Sequence, residues 1–369
     1  MRITEIRVWQ RDLPLIKPYR LSGGRLLFER LDSTFVAIRT DDGGVGWGEA
    51  CPWGHTYLPA HGAGVRAALE LLAPALIGTD PLALDAVNRR MDVALPGHAE
   101  AKSALDVACW DLLGQAAGMP LWRLFGADEA PPVALNSSIS TGTPQEMVAL
   151  IRDAAARGYT VHSAKIGGTD SAADIERMTA ISEDLPAGHA VTFDVNRAWT
   201  PGVAVQVLNA VPSRDWVEQP CETLDQCAHV AERVPQPIML DECMLTHQDH
   251  LEAWKRRACE GVKVKPNRVG GLTKARRIRD FGVAVGWRMH IEDVGGSALA
   301  DTAAIHLAAS TPQENRLASW ICHDHLAEDP VPGQGVRNCN GHVVPPDAPG
   351  LGVVPDADGF GDPVAIYGG

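Results

Sequence analysis

The chain reads as an α/β protein, a closed βα barrel preceded by a strand-then-helix domain. From about residue 131, short apolar runs alternate strictly with helical patterns, which implies a parallel sheet. Five charged residues, Lys165, Asp194, Glu218, Asp241 and Lys265, each follow such a run and precede a turn or helix, at separations of 29, 24, 23 and 24 residues. A barrel brings strand ends of this kind together at one mouth.

The first third holds the smaller domain. Ile3–Gln10 and Ser33–Thr40 are strand-like, and Asp41-Asp42-Gly43-Gly44 turns the chain into Val45–Glu49. Tyr19–Arg25, with Gly23 and Gly24, suits a mobile loop between the first two strands. Pro52-Trp53-Gly54-His55-Thr56-Tyr57 reads equally as a packed surface turn or as a ligand-facing loop. Apolar residues at three- and four-residue spacing predict helices over Val65–Leu76, Leu82–Met91 and Lys102–Ala117, the last stopped by Gly118-Met119-Pro120.

Eight strands are then expected: Val133–Ile139, Val161–Ile166, Ala190–Asp194, Asp215–Glu218, Ile238–Asp241, Gly261–Lys265, Arg288–Ile291 and Leu317–Ile321. Helical patterns such as Pro144–Arg157 and Leu272–Val285 separate them. A doubly wound open sheet is the alternative, but no Gly-x-Gly-x-x-Gly follows a strand, so a dinucleotide site has no support. The organisation expected is a capping unit over 1–127, a barrel over 128–329, and a Pro- and Gly-rich segment over 330–369 that packs back on the first unit.

A formal net charge of -13 argues against nucleic acid as a partner. No signal peptide or membrane span is legible. Eight cysteines without paired spacing fit reduced thiols in a cytoplasmic protein.

Three carboxylates side by side on neighbouring strands cannot all stay ionised without compensation. Asp194, Glu218 and Asp241 therefore suggest a hard divalent cation, Mg²⁺ by the all-oxygen donor set, with Asn196 in support. A single acid there would more simply cap the following helix; three at a near-constant interval ask for more. Lys165 and Lys265 end strands on either side of the acids. A metal between two lysines points to removal of a proton from a carbon next to a carboxylate, through an enediolate. A non-catalytic barrel binding a small solute is the distant alternative, and it would need only part of this set.

These motifs resemble the enolase superfamily, in its mandelate racemase/muconate lactonizing enzyme branch. Asp194-Val195-Asn196, Glu218-Gln219-Pro220 and Asp241-Glu242 match its metal-ligand motifs, and Ala101–Leu112 its helix signature. The resemblance covers essentially the whole chain. It implies a (β/α)7β TIM-like barrel with an α+β capping domain, and a homo-oligomer. One departure stands out: where the branch usually has Lys-x-Lys, this chain has Ser163-Ala164-Lys165.

Within the branch, Tyr19–Leu26, Pro52–Tyr57, Leu95–His98, Asn267–Leu272 and Trp320 resemble the cis-3-hydroxy-L-proline dehydratases. Thr56-Tyr57, Glu292-Asp293 and Trp320 are also similar to the hydroxyproline betaine 2-epimerases. Both resemblances imply a small amino-acid-like carboxylate with a cationic ring nitrogen. Trp53, His55, Tyr57, Asp293 and Trp320 are the expected contacts, Tyr57 and Trp320 through their ring faces and Asp293 by charge.

Overall fold

The computed structural model describes residues 1–21, 26–168 and 170–369. Ser22-Gly23-Gly24-Arg25, the centre of the expected mobile loop, lies outside the described residues.

The smaller unit opens with a long antiparallel hairpin, β1 (Ile3–Leu21) against β2 (Leu26–Thr40), which continues through a tight turn into β3 (Val45–Ala50). Both strands run well past the ends expected from sequence. Pro14 and Pro18 argue against a ladder, but the register shifts between Pro14 and Tyr19, and a bulge absorbs residues that lack an N–H. Tyr19 therefore sits on a strand, paired with Phe28.

Three helices follow, α1 (Gly62–Leu76), α2 (Leu84–Ala94) and α3 (Ala99–Ala117), then a single turn, α4 (Leu121–Leu124). Helix α3 is buried almost all round, as expected of a helix sandwiched between two layers. One side meets β3, where a Cβ on Gly48 would stand 1.9 Å from the Ala104 carbonyl oxygen. Glycine there allows sheet and helix backbones to touch.

The stretch expected as one strand, 133–139, is two. β4 (Val133–Ala134) pairs antiparallel with β13 (His342–Val343), and β5 (Asn136–Ile139) enters the barrel. Then come α5 (Pro144–Ala156), β6 (Val161–Lys165), α6 (Ser171–Asp184), β7 (Ala190–Asp194), α7 (Pro201–Ala210), β8 (Trp216–Glu218), α8 (Leu224–Ala231) and β9 (Ile238–Leu240). α9 (His247–Lys255), β10 (Gly261–Val264), α10 (Pro266–Val269), α11 (Leu272–Ala284), β11 (Arg288–Ile291), α12 (Ala298–Ala309) and β12 (Arg316–Ala318) complete it. The eight strands β5–β12 pair in chain order, all parallel. A parallel bridge between Leu135 and Ser319 joins the last strand to the first, with Asn136 N donating to Ser319 O at 2.8 Å. The sheet is closed, which excludes the open alternative.

The tail crosses back, and β14 (Ala365–Gly368) adds to the free edge of β1. All eight cysteines are unpaired thiols. Among the described residues no helix is long and apolar enough to cross a membrane.

Buried acids clamp the two units together. Glu49, at the end of β3, accepts hydrogen bonds from Ser33 Oγ, Ser297 Oγ and N, and Ala300 N, so it caps α12 from across the interface. Asp106 on α3 does the same for α11, accepting from Thr273 N at 2.9 Å and Thr273 Oγ1 at 2.6 Å, and also from Asn88 Nδ2. Asp301 on α12 accepts from Cys322 N and His323 N and pairs with His323 Nδ1 at 2.6 Å. That contact pins the segment after β12.

Replacing Asp106 with Ala strands three buried donors at once and is expected to lower unfolding free energy by about 3 kcal/mol, measured by urea titration. Burial works against a charged His323, but the hydrogen bond and charge of Asp301 outweigh it and raise the imidazole from 6.5 to about 9. This contribution is fully present below pH 6.5 and lost as pH climbs through about 9. Unfolding free energies of the unaltered protein and His323→Gln should accordingly converge across that interval.

Candidate active site

Side chains alternate along a strand, so residues two apart share a face. In this barrel the inward face of the C-terminal ends carries the charge. Lys165 ends β6, Asp194 ends β7 and Glu218 ends β8, and the register aligns the three directly. Glu218 pairs with Met239, which puts Asp241 one inward position further on β9. Lys265 follows β10, Glu292 and Asp293 follow β11, and Trp320 follows β12. With Asn136 and Ser138 of β5 they line one cavity of about 50 Å³.

All five charged residues picked out from sequence meet there, and each is buried. Lys165 forms an ion pair with Asp194. Lys265 Nζ lies 2.9 Å from Asp241 Oδ2, and Arg268 holds Asp241 Oδ1. Two further residues join them. Lys263 Nζ is 2.9 Å from Glu292 Oε1 and 3.2 Å from Glu218 Oε2, and Glu292 Oε1 is 3.7 Å from Lys265 Nζ. Neither Lys263 nor Arg268 was expected from sequence as a site residue. The signal for Lys263 was present, since a lysine two residues before Lys265 on a strand enters the same face.

Burial sets the electrostatics, and the partners then correct it. Burial would raise Asp241, but Arg268, Lys265 and Lys263 outweigh it and hold the carboxyl far below the usual range. Glu218, desolvated and beside Asp194, is pushed well up. Burial, with Asp241 and Asp194 nearby, lifts Glu242 to about 7. Burial alone would lower Lys165; Asp194 reverses that and raises it.

Among the described residues, no three His, Cys, Asp or Glu side chains are gathered to hold an ion as they stand, because Asp194 and Asp241 are turned onto cations. The donor set nonetheless fits a hard divalent ion: three carboxylates on adjacent strands, with Glu218 buried and neither of its oxygens hydrogen-bonded.

The expected neighbours fare unevenly. Asn196 was read as a strand position two past Asp194. The chain instead turns left-handed at Asn196 and Arg197 (φ 45° and 64°). Asn196 still lines the cavity, its N–H donating to Asp194 Oδ1 and its Nδ2 to Glu242. The turn aims Arg197 at the loop above, where it donates to the Tyr57 carbonyl at 2.6 Å and covers the Tyr57 ring at 5.6 Å. Tyr57 Oη donates to Asp241 Oδ2 at 3.3 Å, and with Arg197 over it the ring already faces a cation of the protein itself. His55 is exposed and stays out of the cavity. Tyr57 N bonds back to Gly54 O, and that tight turn throws its two central residues, His55 and Thr56, outward. Asp293 lines the cavity, but its Oδ1 accepts from Asn267 N and Val294 N, and burial lifts the carboxyl to about 8.

Trp53 and Trp320 form the roof with Tyr19 of the hairpin. Their ring centroids lie 5.2 Å (Tyr19–Trp53), 5.8 Å (Trp53–Trp320) and 6.3 Å (Tyr19–Trp320) apart, all edge-on. Tyr19 Oη and Ser138 Oγ, 2.5 Å apart, join roof to barrel.

Residues 3–126 match the mandelate racemase/muconate lactonizing enzyme N-terminal domain, and residues 146–359 match the enolase C-terminal domain-like family. The chain is 41% identical, over the full length of both, to a cis-3-hydroxy-L-proline dehydratase from Roseibium aggregatum. It is 30% identical to a hydrophobic dipeptide epimerase from Enterococcus faecalis, covering 84% of this chain and 88% of that protein. A crystal structure of an enolase superfamily member from Roseovarius nubinhibens, complexed with magnesium, is 67% identical, covers both chains completely and superposes with a TM-score of 0.97. The family's two-part architecture is the one built here, and the chain belongs to the enolase superfamily, as an enzyme of its mandelate racemase/muconate lactonizing enzyme branch.

Proposed function

We propose that this enzyme removes the α-proton of a small proline-like carboxylic acid and dehydrates cis-3-hydroxy-L-proline. The observation that carries the reading is the placement of two buried lysines, Lys165 and Lys265, on either side of three carboxylates in one small cavity. The 41% identity to the Roseibium dehydratase supports the substrate.

Asp194, Glu218 and Asp241 would hold Mg²⁺, which when bound supplies a Lewis acid that draws negative charge out of the substrate carboxylate. The protein does the rest. One lysine, as the free amine, takes the proton from the α-carbon. The bond from C3 to its hydroxyl then breaks, and the departing oxygen takes a proton from the ammonium of the other lysine and leaves as water. The enamine left behind tautomerises to the cyclic imino acid. Tyr19, Trp53 and Trp320 close over the ring and exclude water, and the ring faces of the tryptophans suit its cationic nitrogen. The reading places the enzyme in the cytoplasm, where its free thiols are stable, as a homo-oligomer.

The same two lysines would serve an epimerase, one removing the proton and the other returning one to the opposite face. Incubation with cis-3-hydroxy-L-proline and Mg²⁺ in D₂O separates the two. Loss of water is expected; in a parallel incubation with proline betaine or hydroxyproline betaine, deuterium at the α-carbon of the otherwise intact betaine, with no dehydration of cis-3-hydroxy-L-proline, makes it an epimerase instead. Lys165→Ala is expected to lower turnover by about 10³-fold or more, measured as imino acid formed, and unchanged turnover would remove Lys165 from the mechanism.

A further inference from the structure

Lys263 has no part in the proton transfers or the ligand set above, yet it is buried in the middle of them. It enters the barrel two residues before Lys265, on the same face and one layer deeper. Its hydrogen-bond partner is Glu292, at 2.9 Å, and it also lies 3.2 Å from Glu218 Oε2. Among the described residues the Lys263 ammonium, at 2.9 Å, is the one hydrogen-bond donor to the Glu292 carboxylate, whose Oε2 is buried with no hydrogen bond. The oxygen that Lys263 holds, Oε1, is also the one 3.7 Å from Lys265 Nζ. The other carboxylate on Lys265, Asp241, is already engaged by Arg268 and Tyr57. Arg268 closes the ring by donating to the Lys263 carbonyl at 3.0 Å. Lys165 has its own ion partner, Asp194, on the opposite side of the carboxylates.

We propose that Lys263 is a positioning residue: through Glu292 it aims the Lys265 ammonium into the cavity, and so serves proton transfer on the Lys265 face alone. This rests on the two-lysine reading above. A lysine that merely filled the barrel, or that bound substrate directly, would affect both faces.

The experiment follows α-hydrogen exchange of L-proline and of D-proline in D₂O by NMR, with Mg²⁺ present. Lys265→Ala and Lys165→Ala first establish which enantiomer each lysine serves. Lys263→Met is then expected to slow exchange of the Lys265-side enantiomer on the order of 10²-fold, the usual cost of a misplaced reacting group, and to leave the other within about twofold. Lys263→Arg should restore part of the loss. Because Lys263→Met alone leaves a buried carboxylate unpaired, the double variant Lys263→Met/Glu292→Gln, which removes both charges together, guards against misfolding. It should show the same one-sided loss, no larger than the greater of the two single losses. Equal loss on both faces in the double variant, or none, overturns the assignment. If turnover of cis-3-hydroxy-L-proline by the unaltered enzyme does not depend on Lys265, the two-lysine reading itself fails, a result obtained without any Lys263 variant.

Discussion

Charge buried inside a barrel must be balanced there, and this molecule is arranged around that requirement. Isolated ions in a low-dielectric interior cost several kcal/mol each, and removing one partner of a pair leaves the other stranded. The site meets the cost with an alternating row: Glu218, Lys263, Glu292, Lys265, Asp241 and Arg268, each touching the next. Glu218 and Lys263 lie on β8 and β10, Asp241, Lys265 and Glu292 directly follow β9, β10 and β11, and Arg268 lies on α10, so strand register sets where most of the row stands. A one-residue slip in any of those strands would turn its charges outward into the helix layer.

The smaller unit depends on the same economy of buried acids. Glu49 and Asp106 reach across to cap α12 and α11, and neither leaves its donors to water. Their placement fixes where β3 and α3 lie against the barrel. That in turn fixes the hairpin and the 52–58 loop, which carry Tyr19, Trp53 and Tyr57 over the mouth. The clamp on Tyr57 comes from the opposite side, since Arg197 reaches up from a left-handed turn just past Asp194. Roof and floor are thus positioned by a few polar contacts, and the apolar cores on each side fill in around them.

Much of the floor was legible in the sequence because a parallel strand announces itself twice, by its apolar run and by the charged residue that ends it. Ala190–Asp194 and Arg288–Ile291 were read to the residue. Other features were hidden for physical reasons. Arg268, past the end of β10 on a short helix, gave no such signal, because only the folded chain brings it onto Asp241. Asn196 follows a strand without a glycine to signal the left-handed turn it takes. The hairpin was read too short because Gly23 and Gly24 marked Tyr19–Arg25 as a loop, whereas Tyr19, Arg20 and Leu21 pair with Phe28, Leu27 and Leu26. His55 was drawn in by the company of Trp53 and Tyr57, but a tight turn faces its neighbours in opposite directions, and composition does not record direction.

The division between floor and roof bears on how one chemistry serves different substrates. A carboxylate set flanked by lysines is suited to removing a proton next to any carboxylate, and it does not distinguish a dipeptide from an amino acid. Above that set stand Tyr19, Trp53 and Trp320, whose rings meet edge-on over the cavity. Two of the three come from the smaller unit, Tyr19 on β1 and Trp53 on the loop after β3. The third, Trp320, follows β12, between Ser319, which bridges to Leu135, and Cys322 and His323, whose N–H groups donate to Asp301. On the proposed reading, substrate choice rests with side chains that stand outside the row of alternating charge, so the two can change independently.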